Sequence, residues 1–214
     1  MAPIISIVGK SNSGKTTIVE KLVSELTKRG YRVATTKHTP RGMDIDKPDT
    51  DSWRHVAAGS INTVINSPDR VILIRPVTEA LNINEISRLI GEDCDIIIAE
   101  GLKQDTATKI EVHRKEIGVP LEGISKLIAI ATDEPLETGT QQFALDDIEG
   151  MADLIESGFI KPQMERISLY VNGEEVPLSV FPREIITNIV LALGTSMKGV
   201  DEIKSLDISL RKTL

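Results

Sequence analysis

Apolar residues in the first two-thirds of the chain come in short runs separated by amphipathic stretches. PIISIVG is nearly continuous in Ile and Val, the mark of a strand buried on both faces. After a small-residue loop, Val19, Leu22, Val23 and Leu26 recur at helical spacing, and Gly30 supplies a stop. YRVATTKH reads as a second strand, SWRHVAAGS as a short helix, and INTVINS and RVILIRP as strands. INEISRLIGE has a helical pattern, CDIIIAEG is the most apolar strand, and TKIEVHR and KLIAIATD read as two more. LDDIEGMADLIESG is a helix opened by an Asp. Strands alternating with helices predict an α/β fold with a doubly wound, mostly parallel sheet.

Past GFIKPQ the texture changes. ERISLYVNGEEVPLSVF alternates with period two around Asn172-Gly173, a strong hairpin signal. PREIITNIVLALGTSM follows as a helix with Pro182 suited to its first turn, and KSLDISL as a last strand. The expected organisation is therefore a main domain at 1–162 and a small ββαβ appendage at 163–214. So small an appendage has little core of its own, which predicts docking on the main domain or on a second copy.

Composition narrows the class of protein. A net charge of −7 argues against broad nucleic-acid or anionic-membrane binding. One cysteine, Cys94, excludes an internal disulfide and fits a reducing cytosol. MAPIISIVG leads directly into the first strand without the look of a signal peptide, and the apolar runs are too short to span a bilayer. A cytoplasmic location is expected.

The loop after the first strand carries the chemistry. Gly9-Lys10-Ser11-Asn12-Ser13-Gly14-Lys15-Thr16 fits G-x-x-x-x-G-K-[ST], with the required strand before it and helix after it. That makes the expected sheet one of P-loop NTPase type. A triphosphate needs several inward-pointing backbone N–H groups, and small residues such as Gly9, Asn12, Ser13 and Gly14 let the chain wrap tightly enough. Lys15 supplies a positive charge for the β- and γ-phosphates, Thr16 a hydroxyl for Mg²⁺, and Thr17 lies at the helix start for the α-phosphate.

Such a site usually takes a carboxylate from the end of a neighbouring apolar strand. In Asp95-Ile-Ile-Ile-Ala-Glu100-Gly101 the acid at the carboxyl end, Glu100, is the metal-side and catalytic candidate beside Lys15. The polar stretch after the second strand holds Asp44, Asp46, Asp49 and Asp51, which either meet a cation or form a solvated acidic loop. Lys37, His38 and Arg54 flank it and can reach phosphate, although a lone His is more often structural. Asp133, at the end of KLIAIATD, either accepts the N1–H and amino donors of guanine, favouring GTP over ATP, or caps a turn.

Together, GKSNSGKTT, TKHT, DIDKPDTDSWRHVAAGS, DIIIAEGLK and KIEVHR resemble the MobB family of molybdopterin-guanine dinucleotide biosynthesis adapter proteins, in the family's order and over roughly residues 1–160. The phosphate loop is generic; DxxDSWRHxxAG with EGLK downstream is far more specific. The resemblance implies a GTP-binding, weakly GTP-hydrolysing homodimer that uses Mg²⁺. It further implies action beside the guanylyltransferase that joins GMP to the molybdopterin cofactor, aiding that step or cofactor delivery. Carried over, the phosphate loop is Gly9 to Thr17. The acidic-loop motif falls on Asp46, Asp51, Ser52 and Arg54, and the strand-end motif on Glu100, Gly101 and Lys103. Asp46 and Asp51 thereby become the preferred acids to join Thr16 and Glu100 at the metal. Many members have a His-rich stretch after KH[ST], where this chain has Pro40-Arg41-Gly42, so a role for histidines there is not implied.

Other readings stay open. A small-molecule kinase uses the same loop but needs a lid, and EIGVPLEG is short and poor in arginine. A nucleotide-sensing scaffold without catalysis is the third. Lys10 sits where some dimeric ATPases reach across to a partner's nucleotide, yet the neighbouring Ser11-Asn12 does not fit that pattern.

Overall fold

The computed structural model describes residues 1–39, 42, 46–163, 166–172, 174–200, 203 and 206–208. Two compact units emerge, residues 2–164 and residues 165–214 with Met1.

The larger unit is built on strands β1 (Ile4–Gly9), β2 (Val33–Lys37), β5 (Ile96–Glu100), β6 (Thr108–Val112), β7 (Leu127–Thr132) and β8 (Gln141–Ala144). They form one sheet in the order β2-β5-β1-β6-β7-β8, with every pair parallel. The expected α/β parallel sheet is borne out. Its helices are α1 (Lys15–Lys28), α2 (Asp51–Ala57), α3 (Ile83–Ile90) and α4 (Ile148–Ile155), the last continued by a π-type turn at Glu156–Ile160.

Period-two alternation sends Ile5 and Ile7, Ile96 and Ile98, Ile110 and Val112, and Ala129 and Ala131 to one face. There they meet Ile18, Val19, Leu22 and Leu26 of α1 and Met151, Ala152 and Ile155 of α4. Each large side chain so buried contributes about 1.5–3 kcal/mol. On the opposite face Ile90 of α3 packs with Ala2, Cys94 and Ile97. An ionic staple ties α1 to α4: Arg29 reaches Asp153 at 2.6 Å and Glu156 at 2.8 Å, and Lys161 meets Glu156 at 2.9 Å.

The chain turns to one side of β1 on its way to β2, and to the other side on leaving β5 for β6. That reversal opens a crevice at the carboxyl ends of the strands, where ligands of open α/β sheets bind.

Two expected strands do not join this sheet. β3 (Thr63–Asn66) and β4 (Val71–Ile74) pair antiparallel with each other alone. A Ser67–Arg70 turn connects them, closed by Ser67 N donating to Arg70 O at 2.9 Å. Val64, Ile65, Val71 and Leu73 of this hairpin are exposed.

The smaller unit holds the expected hairpin, reduced to β9 (Tyr170–Val171) and β10 (Glu174–Glu175), followed by α5 (Val180–Thr195). Asn172 has φ 53 at the turn, the left-handed conformation that an Asn-Gly hairpin requires. Gly194 of α5 leaves room for Ile203 and Leu206 to lie against the helix. Most of the expected strand KSLDISL lies outside the described residues, and 206–208 are not extended into a ladder.

Candidate functional site

β1 delivers the chain into the loop at Gly9. A Cβ there would fall 2.5 Å from the Val112 carbonyl oxygen and 2.6 Å from Ser13 Oγ, so only glycine allows the loop to fold back against β6. Asn12 (φ 64) and Gly14 (φ 95) adopt left-handed conformations that curl the loop onto the start of α1. α1 has no side-chain cap and no acid in its first turn. Its first N–H groups are thus left for an anion, where the helix dipole favours negative charge.

Three polar groups surround this mouth. Ser13 is 1% exposed, and its Oγ is buried without a hydrogen-bond partner among the described residues. Lys15 Nζ donates to the Lys10 carbonyl at 2.7 Å. Burial lowers the Lys15 pKa; the Glu100 charge opposes that, and the nearby Lys103 and Lys37 charges add to it. Thr16 Oγ1 donates to Glu100 Oε1 at 3.0 Å.

Glu100 ends β5 directly opposite Lys37 of β2, whose Nζ lies 3.2 Å from the same carboxylate oxygen. A hydroxyl and a carboxylate are the hard oxygen donors that Mg²⁺ takes, so Thr16 and Glu100 suit that ion. The other acid of the strand, Asp95, is at the far end and pairs with Arg32 at 3.1 Å. His38 is held beside Glu100 by its backbone N–H, which donates to the Glu100 carbonyl at 3.1 Å.

The acidic stretch is organised differently. Asp46 Oδ1 accepts from Thr50 Oγ1 at 2.6 Å and from Ser52 Oγ at 3.0 Å. Thr50 in turn caps α2 by accepting from the Trp53 N–H. Asp51 opens α2 with a side chain 93% exposed and only a long contact, 3.9 Å, to Arg54. Among the described residues no three His, Cys, Asp or Glu side chains converge to hold a metal. The structure thus brings Thr16 and Glu100 together and places Asp46 and Asp51 in the cap of α2. Asp44, Pro40 and Arg41 lie outside the described residues. Lys10 Nζ lies beside Gly118.

From the phosphate loop a cavity of about 380 Å³ runs along α1. Ser13, Gly14, Thr17 and Ile18 line one side, and Arg114, Asp133, Leu145 and Asp146 the other. Asp133 Oδ1 accepts from the Lys115 N–H at 2.8 Å, and its Oδ2 lies 3.6 Å from Arg114 Nη1. Arg114 Nε donates to the Ser13 carbonyl at 3.1 Å. Neither Arg114 nor Asp146 is singled out as a site residue by the sequence, because only the strand order sets β6 and the end of β8 beside the loop. The one available signal was the Arg that ends the segment TKIEVHR.

The profile of the family described as molybdopterin guanine dinucleotide synthesis protein B, MobB, matches residues 4–133. The molybdopterin-guanine dinucleotide biosynthesis adapter protein of Haemophilus influenzae is 34% identical over 157 residues, covering 72% of this chain and 88% of that protein. A putative adapter protein of the same description from Methanocaldococcus jannaschii is 22% identical, and the match spans 97% of both chains, the C-terminal unit included. Among solved structures, a molybdopterin-guanine biosynthesis protein B superimposes with a TM-score of 0.58 at 30% identity, over 73% of this chain and 99% of that one. By the profile match and this identity, the chain belongs to the MobB family.

Proposed function

We propose that this protein is a GTP-binding, weakly GTP-hydrolysing accessory protein of molybdenum cofactor biosynthesis. It acts in the cytosol on the attachment of the guanine dinucleotide to molybdopterin, or on delivery of the finished cofactor. Its partner is the guanylyltransferase of that step or the molybdopterin cofactor itself.

The observation that carries the reading is that the cavity opens from the phosphate loop and ends at a carboxylate. Ser13, Gly14 and Thr17 line its near side and Asp133 its far side. Its volume falls within the roughly 300–1,000 Å³ usual for small-molecule sites. In this reading the loop N–H groups and Lys15 hold the β- and γ-phosphates, and Thr17 meets the α-phosphate. Asp133 accepts from the guanine edge, while Lys37 and Lys103 add positive charge around Glu100.

Thr16 and Glu100 are the residues that hold Mg²⁺, which when bound supplies charge neutralisation to the phosphate oxygens. Arg114 is engaged with the Ser13 carbonyl and Asp133, on the nucleoside side of the loop. It is therefore not placed as an arginine finger. Hydrolysis is accordingly slow unless a partner completes the site.

In this reading the homodimer forms through the exposed apolar side chains of the β3–β4 hairpin, which its packing against α2 leaves uncovered. The deciding experiment is calorimetric titration with GTP and with ATP, each with Mg²⁺. The expected result is a preference for GTP of tenfold or more, about 1.4 kcal/mol. Equal or ATP-biased binding overturns the guanine reading and moves the protein toward a kinase or general ATPase.

A further inference from the structure

Arg114 belongs to no part of the phosphate-loop motif, yet it touches both ends of the cavity. Its Nε donates to the Ser13 carbonyl at 3.1 Å, and its Nη1 lies 3.6 Å from Asp133 Oδ2. The guanidinium passes over Gly14, where a Cβ would stand 3.6 Å from both Nε and Nη2. The Arg114 side chain is nevertheless 36% exposed and lines the cavity beside Thr17 and Asp133.

A planar cation fixed at two corners, one on a loop carbonyl and one on a carboxylate, has a defined plane. It borders the space just beyond the first turn of α1, where a chain of phosphates gives way to a nucleoside. Guanidinium planes stack on aromatic rings, and a lysine ammonium in the same place cannot.

We propose that Arg114 is a nucleotide-positioning residue: its guanidinium forms one wall of the purine slot and ties that wall to the phosphate loop. The inference rests on the nucleotide reading above. Asp133 then has two tasks, to accept from the base edge and to hold Arg114 at the correct angle. Phosphates alone gain the guanidinium's charge but not its stacking face, so the ratio of nucleotide to phosphate affinity isolates the contact with the base.

The test compares wild type, Arg114→Lys and Arg114→Gln by calorimetry with GTP and with inorganic tripolyphosphate, each with Mg²⁺. The deciding quantity is the ratio of GTP affinity to tripolyphosphate affinity. It is expected to fall at least fivefold in both variants, with circular dichroism melts confirming folded protein. Should Arg114→Gln fail to fold, Arg114→Lys decides by itself. A ratio that falls less than fivefold overturns the inference: Arg114 then supports the loop or does nothing for the ligand. A wild type that binds GTP no more tightly than tripolyphosphate overturns the nucleotide reading and this inference with it. A wild type selective for GTP, with an unchanged ratio in the variants, overturns the inference alone.

Discussion

The Ser13 hydroxyl is enclosed by the loop it belongs to, 1% exposed and without a hydrogen-bond partner among the described residues. A buried hydroxyl left unmet costs a folded protein about 1–3 kcal/mol in lost hydration. Ser13→Ala removes that cost and keeps the Cβ, so the free protein is expected to be unchanged in stability or more stable by up to about 2 kcal/mol. Ligand binding moves the opposite way. A hydrogen bond to a charged phosphate oxygen contributes roughly 1.5–3 kcal/mol, so the variant is expected to bind GTP–Mg²⁺ about 10- to 150-fold more weakly. Urea unfolding without ligand gives the first quantity, and calorimetric titration of the same preparations the second. A variant destabilised by more than about 1 kcal/mol would show that the hydroxyl is satisfied in the free protein. Undiminished GTP affinity would show that it is not reserved for phosphate.

Four further outcomes are expected. Lys15→Ala loses triphosphate binding while its thermal unfolding stays cooperative; GTP binding as tight as wild type would remove the loop assignment. Glu100→Gln loses Mg²⁺-dependent hydrolysis more than nucleotide affinity, and equal hydrolysis in phosphate-release assays would take Glu100 out of the mechanism. Lys161, then Arg29 and Tyr31, hydrogen-bond Glu156 and hold its carboxyl at about 2, below its ordinary 4.5. Because the folded value is the lower one, the stability advantage of wild type over Glu156→Gln is full above about pH 4.5 and fades toward pH 2, as urea melts across that range will read. Leu73→Asp, on the exposed hairpin, is expected to shift sedimentation toward monomer without lowering GTP affinity, and an unchanged dimer would place the interface elsewhere.

The strand–loop–helix form of the Gly9–Thr16 segment was legible because its determinants are contiguous: a buried strand, the small-residue loop and an amphipathic helix follow one another in the chain. The position of Glu100 was legible for a related reason, since it closes the most apolar strand and so falls at the carboxyl edge of the sheet, beside Thr16. Asp46 was ambiguous because short polar side chains four to six residues apart serve equally as cation ligands and as partners for each other. Here the nearest hydroxyls are Thr50 and Ser52, and the local solution forms the cap of α2. β8 escaped notice because QQFA has no apolar period; only Phe143 is buried in this edge strand. RVILIRP reads as a strand because an apolar run marks extended chain, but it names no partner and does not guarantee burial: β4 pairs with β3 alone and leaves Val71 and Leu73 exposed. Arg114 becomes a site residue through the β1–β6 and β6–β7 pairings, contacts between segments far apart in sequence.

The central place of β1 also bears on how the protein is made. β1 pairs Ile4 with Ile97 of β5 and Ile5 with Thr108 of β6, so both its neighbours leave the ribosome about ninety to a hundred residues after it. At a synthesis rate of roughly 5–20 residues per second, Ile5 and Ile7 wait on the order of 5–20 s without their native partners. During that wait the Val112 carbonyl that abuts Gly9 does not yet exist. The loop that Gly9 shapes can close only once β6 has been made, and β1 waits longer for its partners than β2, whose neighbour β5 follows about sixty residues later.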